Sequence, residues 1–141
     1  MTIFYFLVVG PVAVALRWRS DPLRWSLFAI AAGTFLSGLL LIAFQRFVLD
    51  LLSAPTTTSD RLFFAIIGML MAIVGGTLTQ DLLRQPNRFV VGWSALQKAC
   101  ASGAMSAAVA LSVFSYYGII LAGFDFCSAL LAVAYWWRIG R

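Results

Sequence analysis

Apolar stretches long enough to cross a bilayer alternate along this chain with short polar connections, and arginine and lysine collect in every second connection. A helix needs about 20 predominantly apolar residues to cross a hydrocarbon core roughly 30 Å thick. On that measure the pattern predicts spans at residues 1–16, 25–49, 62–80, 94–116 and 119–137. The first is short, about 24 Å at 1.5 Å per residue, and Trp18 and Trp25 are placed to extend it into the interface. Pro11 lies within it, where the missing backbone donor bends a helix. The run from Ser53 to Asp60, rich in Thr and Ser and holding Pro55, reads as the main extramembrane loop, and Pro86 stops the third span. Between Phe89 and Trp137 the only charges are Lys98 and Asp125, so this stretch reads as a hairpin of two spans turning near Tyr116-Tyr117-Gly118.

Five spans put Arg17, Arg19, Arg24, Arg84, Arg88, Lys98, Arg138 and Arg141 on one side and leave Arg46 and Arg61 on the other. The positive-inside rule then makes the C terminus cytoplasmic and the N terminus external. The expectation is an all-α integral membrane protein, a single domain over residues 1–141 built as a compact bundle of about five transmembrane helices. Four spans result if the first segment lies in the interface, but it lacks the charged face of an interfacial helix. The eight basic residues are expected to anchor the bundle on anionic lipid headgroups, with Lys98 reaching them by snorkelling.

Composition agrees with a bilayer as the main solvent: 62% of residues are hydrophobic and 11% charged, with a mean hydropathy of +0.96. Soluble domains carry about 25% charged residues. The net charge of +5 sits in short connections rather than on an extended basic face, so no nucleic-acid partner is expected. The chain has no His and no Glu, and its five acids are all Asp. With the commonest general base missing and no acid cluster, the expectation is a protein that is not an enzyme, with no catalytic residues, no metal and no cofactor. Cys100 and Cys127 fall at different depths of an antiparallel hairpin, too far apart for a disulfide, and read as small packing residues. The preference for Arg over Lys suggests a bacterial source, hence an inner (cytoplasmic) membrane.

Lipid tails give helices no hydrophobic reason to associate, so small residues that permit close backbone approach mark packing faces. Such stripes occur at Ala29, Gly33 and Ser37, at Gly68, Ala72 and Gly76, and at Ala99, Gly103 and Ala107. Asp125 is the acid placed at depth, and an intramembrane carboxylate is a functional candidate by default. With Gln45 and Arg46 at a similar expected depth it forms a candidate polar site, for a proton, a cation or a basic residue of a partner. Its structural alternatives are a pair with Arg46 or a helix cap ahead of Phe126.

The run from Ala72 to Leu83, with Gly75-Gly76 at its centre, resembles the glycine-rich helix end of the trimeric intracellular cation channel family. Where that family has a basic residue after the glycines this chain has Thr79 or Gln80, and no internal repeat accompanies the motif, so no function is carried over. In general shape the chain is similar to small phage holins, with no shared motif. Two functions fit the sequence: a non-catalytic membrane subunit that packs by its small-residue faces into a larger complex, or a self-assembling transporter or pore. The partners expected are membrane lipids together with other membrane subunits or further copies of the same chain.

Overall fold

The computed structural model describes residues 21–52 and 57–141, so the span expected at 1–16, with Arg17 and Arg19, lies outside the described residues. Within them the chain is all helical: α1 (Pro22–Ala43), α2 (Gln45–Leu51), α3 (Thr58–Leu83), α4 (Arg88–Ala110) and α5 (Tyr117–Ile139). Three of these, α1, α3 and α5, are long and apolar enough to cross a membrane. Five spans were expected. The fourth, α4, matches the others in length but carries Gln97, Lys98 and several serines, which lower its apolar character.

Local sequence explains where the helices begin. Asp21 caps α1 by accepting from the Arg24 backbone N–H at 3.2 Å, with Pro22 in the first turn, where its missing donor costs nothing. Thr57 and Asp60 form a reciprocal capping box at the start of α3. Asn87 caps α4, and its own N–H donates to Asp81 at 2.7 Å, which tightens the connection from α3.

Two boundaries differ from the expected ones. The span expected unbroken over 25–49 leaves helical geometry at Phe44 (φ −128°, ψ 44°), after α1 has already covered about 33 Å, enough for the core. The Gln45 amide donates to the Ile42 carbonyl at 2.6 Å, and α2 turns so that Leu49 and Leu52 are buried. The hairpin turn begins at Leu111 rather than near Tyr116, with Ser112 in the left-handed region at φ 58°.

The long helices form two antiparallel pairs. In the first, α1 and α3 touch through backbone: a β-carbon on Gly38 would lie 2.5 Å from the Ala72 nitrogen and the Gly68 oxygen. One on Gly75 would lie 2.5 Å from the Phe35 nitrogen. In the second pair, α4 and α5 meet through Ala95, Ala122, Ala129 and Ala132 around a polar centre.

The pairs join at one end through Leu27, Ala31, Leu78, Leu82, Val91, Ala95, Ala132 and Tyr135, a cluster fed by all four long helices. At the opposite end α2 and the 111–116 turn make the join. There the Ser115 N–H donates to the Leu52 carbonyl at 3.0 Å, and the Phe64 and Phe114 rings meet edge-on at 6.1 Å. Many large apolar side chains face outward, including Phe63 (69% exposed) and Ile120 (66%), while Ala, Gly and Ser fill much of the contact within each pair and a few leucines fill the joins between them. So apolar an exterior is what a lipid solvent permits.

Candidate functional site

The polar centre lies between α4 and α5. Lys98 is 5% exposed, and its Nζ donates to Asp125 Oδ1 at 2.6 Å. Lys98 stands ten residues into α4 from the basic end, about 15 Å along the axis, so the pair lies near the middle of the helices. The same Nζ stands 5.8 Å from the Phe124 ring centroid. Ser94 and Ser102, one turn to either side of Lys98, are buried, as is Ser128, three residues after Asp125. Ser128 returns its hydroxyl to the Phe124 carbonyl at 2.7 Å. The Gln97 carbonyl oxygen is buried without a donor among the described residues.

Burying one charge in hydrocarbon is expensive, and an ion pair of good geometry is how such a cost is offset. The arrangement therefore has a definite electrical character: Asp125 is neutralised by a cation of its own chain. Lys98, read from the sequence as a headgroup anchor, is instead turned inward. Arg46 and Gln45, proposed as neighbours of Asp125, lie in α2 at the far end, Arg46 exposed and Gln45 bonded to Ile42. Nor does Asp125 cap a helix, since α5 begins eight residues earlier, at Tyr117. No group of three or more metal-ligating side chains occurs among the described residues, and Cys100 and Cys127 are both free and exposed.

A second cluster occupies the basic end. Asp21 Oδ1 caps α1 and accepts from Arg138 Nη1 at 2.9 Å, linking the first described helix to the last. Arg24 reaches across to α3, where its guanidinium donates to the carbonyls of Leu82 and Arg84. The Arg88 guanidinium stacks on Trp136, 3.9 Å from the ring centroid. Arg24, Arg84, Arg88 and Arg138 thus gather at one end of the bundle, with Arg141 just beyond α5.

The small-residue stripes divide. Gly68 is buried and Ala72 half-buried in the α1–α3 contact, while Gly76 sits at its edge against the Phe35 ring. On α1 the residues used are Ala31, Thr34 and Gly38, and Ala29, Gly33 and Ser37 are exposed. On α4 the buried face runs through Val91, Ser94, Ala95, Lys98 and Ser102, and Ala99, Gly103 and Ala107 are exposed. A β-carbon built on Gly33 or Gly103 would meet nothing within 4 Å. The Lys98–Asp125 pair is the contact the sequence reading missed. The midpoint of the two residues falls at Leu111–Ser112, where the turn begins, so a correctly placed turn would have revealed it.

The chain matches no protein-family model, no curated protein and no solved structure.

Proposed function

We propose that this protein is a non-catalytic, multi-pass subunit of a bacterial inner membrane that docks into a larger membrane complex through small-residue helix faces. The observation that carries this reading is the pair of outward stripes, Ala29–Gly33–Ser37 on α1 and Ala99–Gly103–Ala107 on α4, which packing among the described residues leaves uncovered. Small residues at four-residue spacing favour close helix approach, and these two sets make none within the described residues. In this reading α4 crosses the bilayer together with α5, its polar residues turned toward its partner. The five-span topology places the basic end in the cytoplasm, on anionic headgroups.

The alternative is a homo-oligomeric transporter or pore, which requires a continuous polar lining. The charge that favoured it, Asp125, is bound to Lys98, which weakens that reading. Native mass spectrometry of the tagged protein, extracted from its host in mild detergent, separates the two. A defined complex with other membrane proteins, lost in Gly33→Leu or Gly103→Leu, is the expected result. A homo-oligomer without other proteins would overturn the subunit reading in favour of the alternative.

A further inference from the structure

The two helix pairs meet at their ends, and between α3 and α4 they leave a groove of about 330 Å³, a volume in the range of small-molecule sites. Ile73 and Val74 of α3 and Phe89 and Trp93 of α4 make its walls apolar, and none of the residues that line it is charged. Trp93 is 70% exposed, so the groove opens to the surroundings of the bundle rather than to its interior. Three polar side chains also line it: Thr77 on α3, and Ser94 and Gln97, one turn apart, on α4.

Gln97 is the unsettled member of the three. Its Oε1 is buried and has no donor among the described residues. It stands nine residues into α4, about 14 Å from the basic end. The antiparallel partner of α4 is α5, which is long and apolar enough to cross a membrane, so this depth is hydrocarbon, where neither water nor a headgroup supplies a donor. An acceptor left unpaired there is costly, and a donor arriving through the groove relieves it. Gln97 is itself one of the walls, and the last torsion of a glutamine is broad, so the amide can turn to meet such a donor.

The other polar groups narrow the occupant further. Thr77 already gives its hydroxyl hydrogen to the Ile73 carbonyl at 2.7 Å and keeps only acceptor capacity, while the Ser94 hydroxyl can donate or accept. A carbonyl or an ether brings no donor, and an ionised head would meet no counter-charge. What fits is a neutral hydroxyl on a hydrocarbon body. We propose that the α3–α4 groove binds one neutral lipid alcohol, its hydroxyl donating to Gln97 and accepting from Ser94, its hydrocarbon lying against Val74 and Trp93. The proposal rests on the reading that α4 crosses the bilayer beside α5, and it adds a ligand that a subunit role does not require.

The test is native mass spectrometry of the full chain in detergent, offered dioleoylglycerol, farnesol and the methyl ether of each. Each ether keeps the hydrocarbon and the oxygen but not the hydrogen to be donated. The expected result is one alcohol retained per chain, preferred over its own ether by about fivefold. The better held of the two alcohols tells whether the site takes an acylglycerol or an isoprenoid. Gln97→Met, of similar shape, should hold alcohol and ether equally, and Val74→Phe, which fills the groove, should hold neither. Equal retention of alcohol and ether by the unaltered chain, or retention of neither, would overturn the proposal whether or not any variant folds. So would a preference for the alcohol that survives in Gln97→Met, or a second copy of the chain held in place of lipid. Docking into a larger complex is read from protein masses and from Gly33 and Gly103, so either reading can fail while the other stands.

Discussion

The α1–α3 and α4–α5 pairs are both antiparallel, of similar length and rich in small residues, yet they are held by different forces. In α1–α3 the contact is bare backbone at Gly38, Gly68 and Gly75, so attraction comes from close approach and dispersion over a dry surface. In α4–α5 the small residues are mostly alanine, and a charged bond at 2.6 Å sits among them. The first device tolerates no added volume and uses charge only at its basic end, where Arg24 reaches the carbonyls of Leu82 and Arg84; the second tolerates volume better but depends on two residues being kept or lost together. Two neighbouring hairpins of one small chain show that helix association in a bilayer has at least these two separate solutions.

The sharpest way to break the comparison is to strand one charge. Asp125→Leu leaves Lys98 buried and unpaired, and should cost about 3–5 kcal/mol in a denaturant titration of the detergent-solubilised protein. The double variant Lys98→Met with Asp125→Leu should recover most of that loss, because replacing a buried pair by apolar groups is often near neutral. A double variant as damaged as the single one would show that the pair contributes more than mutual neutralisation. Next in size, Gly38→Ala or Gly75→Ala should cost about 1–3 kcal/mol, since the added methyl meets backbone that cannot move aside without separating α1 from α3. The same titration reads it, and an unchanged midpoint would refute backbone contact as the basis of that pair. Asp21→Ala removes a helix cap and a partly exposed ion pair together, an expected loss of about 1–2 kcal/mol. Smallest of all, Gly33→Ala and Gly103→Ala should change the stability of the isolated chain by no more than about 0.5 kcal/mol, because their β-carbons enter open space. A larger drop at either would mean that the exposed stripe already packs against something in the purified protein.

What was readable in the sequence follows the same division. The position of α3 was legible because its long apolar run lies between two polar connections, which hold Thr57 and Asp60 at its start and Asn87 beyond its end. The gathering of Arg24, Arg84, Arg88 and Arg138 was legible as well, since alternate connections of an antiparallel bundle must share an end. The packing face of α1 was not: Ala29–Gly33–Ser37 and the buried set Ala31–Thr34–Gly38 have nearly the same composition, and only the position of α3 decides between them. The break at Phe44 carries no Gly or Pro to announce it, and neither does the turn at Leu111-Ser112-Val113. That misplaced turn hid the polar centre, because in a hairpin the partner of each residue is set by where the chain reverses.

The link from Asp21 to Arg138 has a consequence for how the protein is made. Leu27 of α1 shares its buried cluster with Tyr135 of α5, and Asp21 is bonded to the last turn of the same helix. A chain emerges from the ribosome N-terminal end first, so α1 waits for a partner that is synthesised after α3 and α4. The α1–α3 pair can close while synthesis continues, but the basic end is completed only once α5 is in place. Its assembly is a signal that α5 has arrived.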